Sequence, residues 1–311
     1  MTVTDPSPPS VSEETDRLLR FAVAPGHVRG VAVSLDEGWR TVIEQARYPE
    51  PVARLLGEAL AAATMMVATL KFEGRLVLQL RGDGPLNMMV VQVRSDRSYR
   101  ALARWSGNPA GATLQELTGH GQLVLTIEPE RGERYQSMVP LVGNSLSDAL
   151  AVYFEQSEQL PTHFVLAADE RRATGLMVQR MPGEGGRTGD GEPAEDWGRV
   201  EALVGTLSAE ELLEHPVRTV LYRLFHEERV EALEQSPLQF VCGCSRQRVG
   251  EMIASLGAEE AQAALEDPEA EEVLRVDCDF CGQRYEFDAV DVAELFATDG
   301  LSQGTGSGRT Q

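Results

Sequence analysis

Short stretches in which apolar and polar residues alternate dominate the first half of the chain. Alternation with a period of two places every second side chain on the same face of a strand. Five stretches with this pattern lie at residues 75–81, 87–94, 99–105, 122–127 and 163–168. Turn-type sequences, Gly82-Asp83-Gly84-Pro85 and Ser95-Asp96-Arg97, separate the first three. The pattern therefore predicts β-strands arranged as an antiparallel meander.

Two longer stretches have the apolar spacing of helices. Residues 51–70 form the most apolar part of the chain, but they include charged residues and many small ones, so we predict a buried helix rather than a membrane span. The other stretch begins at Ser145, which forms a capping-box pattern with Asp148, and it ends before Pro161. Helices packed on an antiparallel sheet predict an α+β core domain over residues 16–182.

Residues 183–236 are predicted to form a glycine-rich loop followed by a helical linker. The string PGEGGRTGDGEP at 182–193 lacks the Gly-Lys-Ser/Thr ending of a phosphate-binding loop, so we interpret it as an exposed connection. From 194 to 236, apolar residues recur at helical spacing, with Ser208 and Glu211 as a capping box and Pro216 at a helix start. These helices are short, so their order must depend on packing against a neighbour.

Composition and charge narrow the class of protein. Hydrophobic residues make up 42% of the 311 residues, which is enough for a packed core, and the formal net charge is −21. An acidic surface disfavours nucleic acids and anionic membranes as partners. The N-terminal sequence has no basic region followed by an apolar run, so we expect a cytoplasmic protein. Residues 1–15 and 299–311 are predicted to be disordered tails.

The chain's four cysteines all lie in its last region, 237–298, which we predict to be a small zinc domain. They form a Cys-x-Cys pair and a Cys-x-x-Cys pair with 33 residues between them: Cys242, Cys244, Cys278 and Cys281. Two close pairs separated by an insert can supply four thiolates to one tetrahedral zinc ion, and Gly243 and Gly282 allow the tight turns this needs. The spacing predicts one zinc per chain. By itself it favours a purely structural zinc ribbon and leaves a redox role open.

Other chemistry finds little support in the sequence. The five histidines share no ligand spacing and are predicted to be structural or surface residues: His27, His120, His163, His215 and His226. We predict no catalytic residue and no cofactor-binding residue besides the cysteines. Two alternatives stay open, namely an enzyme of unknown reaction that carries a structural zinc ribbon, and a thiol–disulfide oxidoreductase using Cys278 and Cys281. The second lacks the βαβ context of that motif.

Several strings resemble the thirty-three-kilodalton heat-shock protein family, the redox-regulated holdase chaperones of bacterial type. They are KFEGRLVLQLRGDGPLNMMVVQV at 71–93, the segment 141–168 with its YFEQSEQLPTHF centre, FVCGCS at 240–245 and CDFCG at 278–282. The order of the two cysteine pairs together with the YF-x-x-SEQ-x-P string is a specific combination. The resemblance therefore favours a redox switch over a purely structural zinc site.

The resemblance implies a mechanism for this chain. Cys242, Cys244, Cys278 and Cys281 would bind zinc when reduced. Oxidation would join Cys242 to Cys244 and Cys278 to Cys281, release zinc and unfold the metastable linker 183–236. The exposed apolar surface would then hold unfolding client proteins without ATP and prevent their aggregation under oxidative stress. It further implies that the core 16–182 serves client binding and dimerisation, that activation produces a homodimer, and that the protein is not an enzyme.

Overall fold

The computed structural model describes residues 15–23, 27–109, 113–181, 193–266 and 273–302. They belong to two compact units, which meet in the chain between Val241 and Cys242. The predicted glycine-rich loop lies outside the described residues apart from Pro193, which begins a helix. The predicted tails also lie outside, apart from Thr15 and the helical residues 299–302.

Strands form the framework of the first unit. In chain order they are β1 (Arg17–Val23), β2 (Val28–Leu35), β3 (Gly74–Arg81), β4 (Leu86–Arg94), β5 (Ser98–Trp105), β6 (Gln122–Pro129), β7 (Tyr135–Val139), β8 (Thr162–Ala168), β9 (Ala173–Arg180), β10 (Val230–Pro237) and β11 (Gln239–Phe240). Its helices are α1 (Glu37–Glu44), α2 (Glu50–Thr69), α3 (Leu114–Thr118), α4 (Leu146–Tyr153), which continues as a π-helical turn (Phe154–Glu158), α5 (Pro193–Val204), α6 (Ala209–Glu214) and α7 (Val217–Phe225). The α+β prediction is confirmed.

The strands of the first unit are arranged in two sheets. One has the order β10-β1-β2-β9-β8 and the other has the order β11-β5-β4-β3-β6-β7. All five predicted strands are present, and β3, β4 and β5 form the predicted meander. The prediction of a single meander is wrong beyond β5, because β6 pairs with the free side of β3 and β8 belongs to the other sheet. Alternation identifies a strand but carries no information about its partner.

Helix α2 forms the centre of the main core. It contacts strands of both sheets, and Leu56, Leu60 and Met65 are completely buried. Its length and composition would suffice for a membrane span, but 72% of the apolar window is buried within the fold, so the prediction of a core helix is confirmed. Gly57 permits α2 to pack closely against β8, since a Cβ at this position would lie 2.4 Å from the Cβ of Ala168.

Helices α5, α6 and α7 cover the other face of the five-stranded sheet. Phe225 of α7 packs on Phe21 of β1 with ring centroids 6.1 Å apart, inside a separate apolar cluster. The prediction that the helical region continues to Ser236 is wrong, since Val230–Pro237 forms β10. This strand pairs antiparallel with β1 along the sheet edge. Backbone pairing with a distant strand has overridden the helix-favouring local sequence Glu-Ala-Leu-Glu-Gln.

The second unit is small. It contains α8 (Arg246–Leu256), α9 (Ala258–Leu265), the antiparallel strands β12 (Val273–Asp277) and β13 (Arg284–Asp288), and α10 (Ala289–Ser302). Helix α8 follows the first cysteine pair and ends at Gly257, whose φ of +101° favours glycine. The buried apolar cluster of the second unit consists of Val249, Ile253, Ala261, Leu265, Phe287 and Val292.

Candidate metal centre

The first cysteine pair is held at the start of a helix. Cys242 and Cys244 directly precede Ser245, whose hydroxyl accepts a hydrogen bond from the backbone N–H of Arg248 at 3.2 Å and so caps α8. The Arg248 guanidinium donates back to the carbonyl of Gly243, between the two cysteines. The positive end of the helix dipole favours negative charge, so this position stabilises thiolates.

The second pair lies in the turn between β12 and β13. The N–H of Cys278 donates to the Gln283 carbonyl at 3.0 Å, and the N–H groups of Cys281 and Gly282 donate to the Cys278 carbonyl at 3.3 and 2.8 Å. Gly282 has φ of +65°, the left-handed conformation that the sequence predicts for a tight turn here. This turn directs both sulfurs of the pair to one side.

The four thiols come together, with all Sγ atoms within 4.8 Å of one another. Two contacts join the pairs: the Sγ atoms of Cys242 and Cys278 lie 3.5 Å apart, and those of Cys244 and Cys281 lie 3.3 Å apart. Zinc–sulfur bonds of about 2.3 Å in a tetrahedron place sulfurs about 3.8 Å apart, so the donor set fits a zinc ion. All four are free thiols. The cluster can hold a metal ion, and zinc as that ion stays a prediction.

The hydroxyl of Tyr285 influences the pKa of one cysteine in the cluster. Desolvation by itself would raise the pKa of Cys244, but a hydrogen bond from Tyr285 Oη at 3.1 Å and bonds from the neighbouring thiols outweigh it and lower this pKa to about 7. Burial raises the pKa of Cys242 and of Cys281. The hydrogen bond from Tyr285 therefore favours the thiolate of Cys244, whereas burial disfavours the thiolates of Cys242 and Cys281. The sequence gives no sign of the contact between Tyr285 and Cys244.

Comparison with known proteins decides the family. The model of the family described as Hsp33 protein matches residues 16–288. The chain is 47% identical to the 33 kDa chaperonin of Pseudomonas paraeruginosa over 298 residues, which cover 95% of this chain and 99% of that protein. The chain belongs to the Hsp33 family. It is thus a member of a chaperone family rather than of an enzyme family, and the alternative of an enzyme with a structural zinc ribbon is not supported.

Two further 33 kDa chaperonins match this chain over most of its length. The 33 kDa chaperonin of Azotobacter vinelandii is 47% identical over 284 residues, 90% of this chain and 94% of the relative. The crystal structure of the 33 kDa chaperonin from Thermotoga maritima superposes with a TM-score of 0.76, covering 92% of this chain and 99% of that one at 24% identity. The similarity to the Thermotoga maritima structure shows that the two chains share an α+β fold.

Polar contacts around the Hsp33 cysteine cluster are mostly exposed. The Arg246 guanidinium lies 4.3 Å from the Phe287 ring centroid and pairs with Asp291 at 2.7 Å. Arg284 binds both carboxylate oxygens of Asp277 at 2.8 and 2.9 Å, next to the turn that holds Cys278. Exposed ion pairs contribute little to stability, so these contacts by themselves give the unit little support.

Proposed function

We propose that this chain is a redox-regulated, ATP-independent holdase chaperone. The reduced, zinc-bound protein is inactive. Oxidation joins Cys242 to Cys244 and Cys278 to Cys281, zinc is released, and the helical linker unfolds to expose a surface for unfolding clients in the cytoplasm. The observation that carries the proposal is the cluster of four free thiols within 4.8 Å, in a unit with a very small apolar core.

The cysteines supply the redox chemistry. Zinc, when bound, holds the four sulfurs as thiolates and keeps the two knuckles together. In each pair, two thiolates give up two electrons to one peroxide, which takes up two protons from solvent and becomes two waters while one disulfide forms. A disulfide sulfur is a poor metal ligand, so both reactions together remove the whole donor set. A unit of this size then lacks the buried area to stay folded.

The linker is suited to respond to that loss. Helices α5, α6 and α7 have 12, 6 and 9 residues, too short to be stable without packing. Their departure would expose the apolar face of the five-stranded sheet: Leu19, Phe21, Val23, Val28, Ala32, Ala167, Leu176 and Val178. An apolar surface of this kind binds unfolding proteins or a second activated copy. The net charge of −21 would keep the complexes soluble.

Zinc content and free thiols, measured on one sample before and after peroxide at raised temperature, test the switch. We expect one zinc and four thiols to fall together to none, and aggregation of a heat-unfolded test protein to be suppressed only afterwards. In the double variant Cys242→Ser and Cys244→Ser, the suppression of aggregation should no longer differ between reduced and oxidised protein. Zinc and thiols that survive peroxide would leave a structural zinc site, and an absence of suppression in both states would refute the chaperone.

A further inference from the structure

Strand β10 is held to its sheet mainly by backbone pairing. It pairs antiparallel with β1 from Arg17↔Pro237 to Val23↔Val230, as the edge strand of the five-stranded sheet. Of its eight residues, Ser236 is the one that is buried, and Leu233 is 58% exposed. Main-chain hydrogen bonds do not depend on side-chain identity, so another extended segment could make them equally well.

The side chains of β10 fit poorly against the apolar residues of β1. Opposite Leu19, Phe21 and Val23, the strand places Gln235, Ala232 and Val230, all three of them exposed, and the register shifts between Arg20 and Phe21. The apolar side chains of β1 on this face are instead covered by α5–α7. A segment with larger apolar residues at alternate positions would therefore bury more apolar surface than β10 does once those helices leave.

Polar contacts of two side chains hold β10 in place, and one of these side chains is Gln235, which accepts a hydrogen bond from the Arg218 guanidinium of α7 at 2.5 Å. Glu234 pairs with Arg20 of β1 at 3.2 Å and with Arg97 of the β4–β5 turn, and it accepts a hydrogen bond from the Ser236 hydroxyl at 2.9 Å. The side chains of Glu234 and Arg20 are 38% and 39% exposed, so each ion pair contributes little. These side-chain contacts keep β10 paired with the edge of β1 in the resting protein, and they are weak enough for the strand to dissociate.

The place of β10 in the chain connects it to the proposed switch. It follows α7 directly, and only four residues, 238–241, separate it from Cys242. Unfolding of the linker would therefore leave β10 without an ordered neighbour on its N-terminal side, while β11, which pairs with β5, would still hold its C-terminal end. The backbone pairing with β1 and the ion pairs of Glu234 would then be the contacts that oppose its release from the N-terminal end.

We propose that the edge of β1 is a client-binding site that β10 occupies in the resting protein. An extended segment of an unfolding protein pairs antiparallel with β1 in place of β10 and places alternate apolar side chains on the exposed sheet face. This proposal rests on the proposed chaperone function. It names the partner by its chemistry, as a polypeptide with unpaired backbone groups and apolar residues at every second position.

Amide hydrogen exchange tests the replacement directly. The full-length protein is measured reduced, oxidised, and oxidised with a carboxymethylated, permanently unfolded globular protein as client. We expect protection in β10 to be lost on oxidation, and the amides of β1 that face β10 to exchange at least tenfold more slowly again when client is added, while β10 stays unprotected. A β10 that remains protected in the client complex, or a β1 edge that stays open, would overturn the proposal.

A matched pair of variants opens the edge without oxidant. Glu234→Arg removes both ion pairs, whereas Glu231→Arg makes the same charge change at a residue that pairs with Arg229, directly before the strand. In reduced protein we expect Glu234→Arg to increase client binding about three- to tenfold over Glu231→Arg, the effect of losing two partly exposed ion pairs. Exchange in β3 and β4 verifies that both variants are folded.

The outcomes separate this proposal from the function on which it rests. A Glu234→Arg variant with an unprotected β10 that binds no more client than Glu231→Arg overturns the edge site alone. Reprotection of β1 in an oxidised dimer without client assigns the edge to a second copy and likewise overturns it. If oxidised wild-type protein suppresses no aggregation, the chaperone function fails, and the client site fails with it.

Discussion

The pair formed by His27 and Asp196 joins the core to the first linker helix. His27 Nδ1 lies 2.5 Å from Asp196 Oδ2, and these side chains are 7% and 10% exposed. Asp196 also pairs with Arg199, which in turn pairs with Glu228. We expect Asp196→Ala to weaken docking of α5 by about 1–3 kcal/mol, because it leaves a buried histidine without its partner. Proteolysis within α5 should accelerate at least several-fold, whereas Glu195→Ala at an exposed neighbouring position should have no effect.

The same pair gives the linker a defined pH dependence. The hydrogen bond with His27, followed by that with Arg199, lowers the pKa of Asp196 below its usual value of 3.8. A depressed carboxyl pKa stabilises the fold above the unfolded value, and the contribution is lost as pH falls through the folded value. The difference in the stability of α5 docking between wild type and Asp196→Ala should therefore have its full size at pH 7 and shrink below about pH 4. A difference that does not change with pH would rule out this role of the charge.

Which single residues the sequence could predict depends on how local their partners are. The four cysteines could be predicted as a set because the spacing within each pair already determines a knuckle. His27 and Asp196 could not, because their partnership spans 169 positions and exists only in the folded chain. The contact from Tyr285 to Cys244 likewise requires β13 to lie beside the turn before α8.

At the level of elements, predictability follows exposure. Strands β3, β4 and β8 have one exposed or half-exposed face and alternate clearly, whereas β2 and β9 are buried along almost their whole length. They lie between α2 and the linker helices, so their sequences have no polar face to reveal a strand. The misassigned β10 is the opposite case, because its residues are mostly exposed and only pairing with β1 makes it a strand.

Linker order should depend on one aromatic contact. Phe225 is 2% exposed and packs on Phe21, so Phe225→Ala removes a large buried side chain and should cost about 3–5 kcal/mol of linker packing. We expect the reduced variant to bind a hydrophobic dye and to suppress aggregation without oxidant. Tyr222→Ala on the same helix is the control, since Tyr222 is 75% exposed. A folded Phe225→Ala protein that stays inactive when reduced would show that linker packing does not gate activity.

The whole molecule combines two units of very different internal support. The first has two sheets around a large continuous core, and the second has, among its described residues, six buried apolar side chains and a two-stranded sheet. Burial of apolar surface scales with size, so we expect the first unit to fold by itself and the second to depend on a further link between its two cysteine pairs. The difference allows one part of the chain to unfold while the other remains as a scaffold.

Removal of the metal under reducing conditions tests this division. A strong zinc chelator with excess dithiol removes the ion while disulfides cannot form, so any unfolding reports the loss of metal alone. We expect amide protection in α8 and β13 to disappear while protection in β3 and β4 is unchanged, with exchange monitored across the full chain. Protection in α8 and β13 that survives chelation would mean that the second unit folds without metal, and disulfide formation itself would then have to open it.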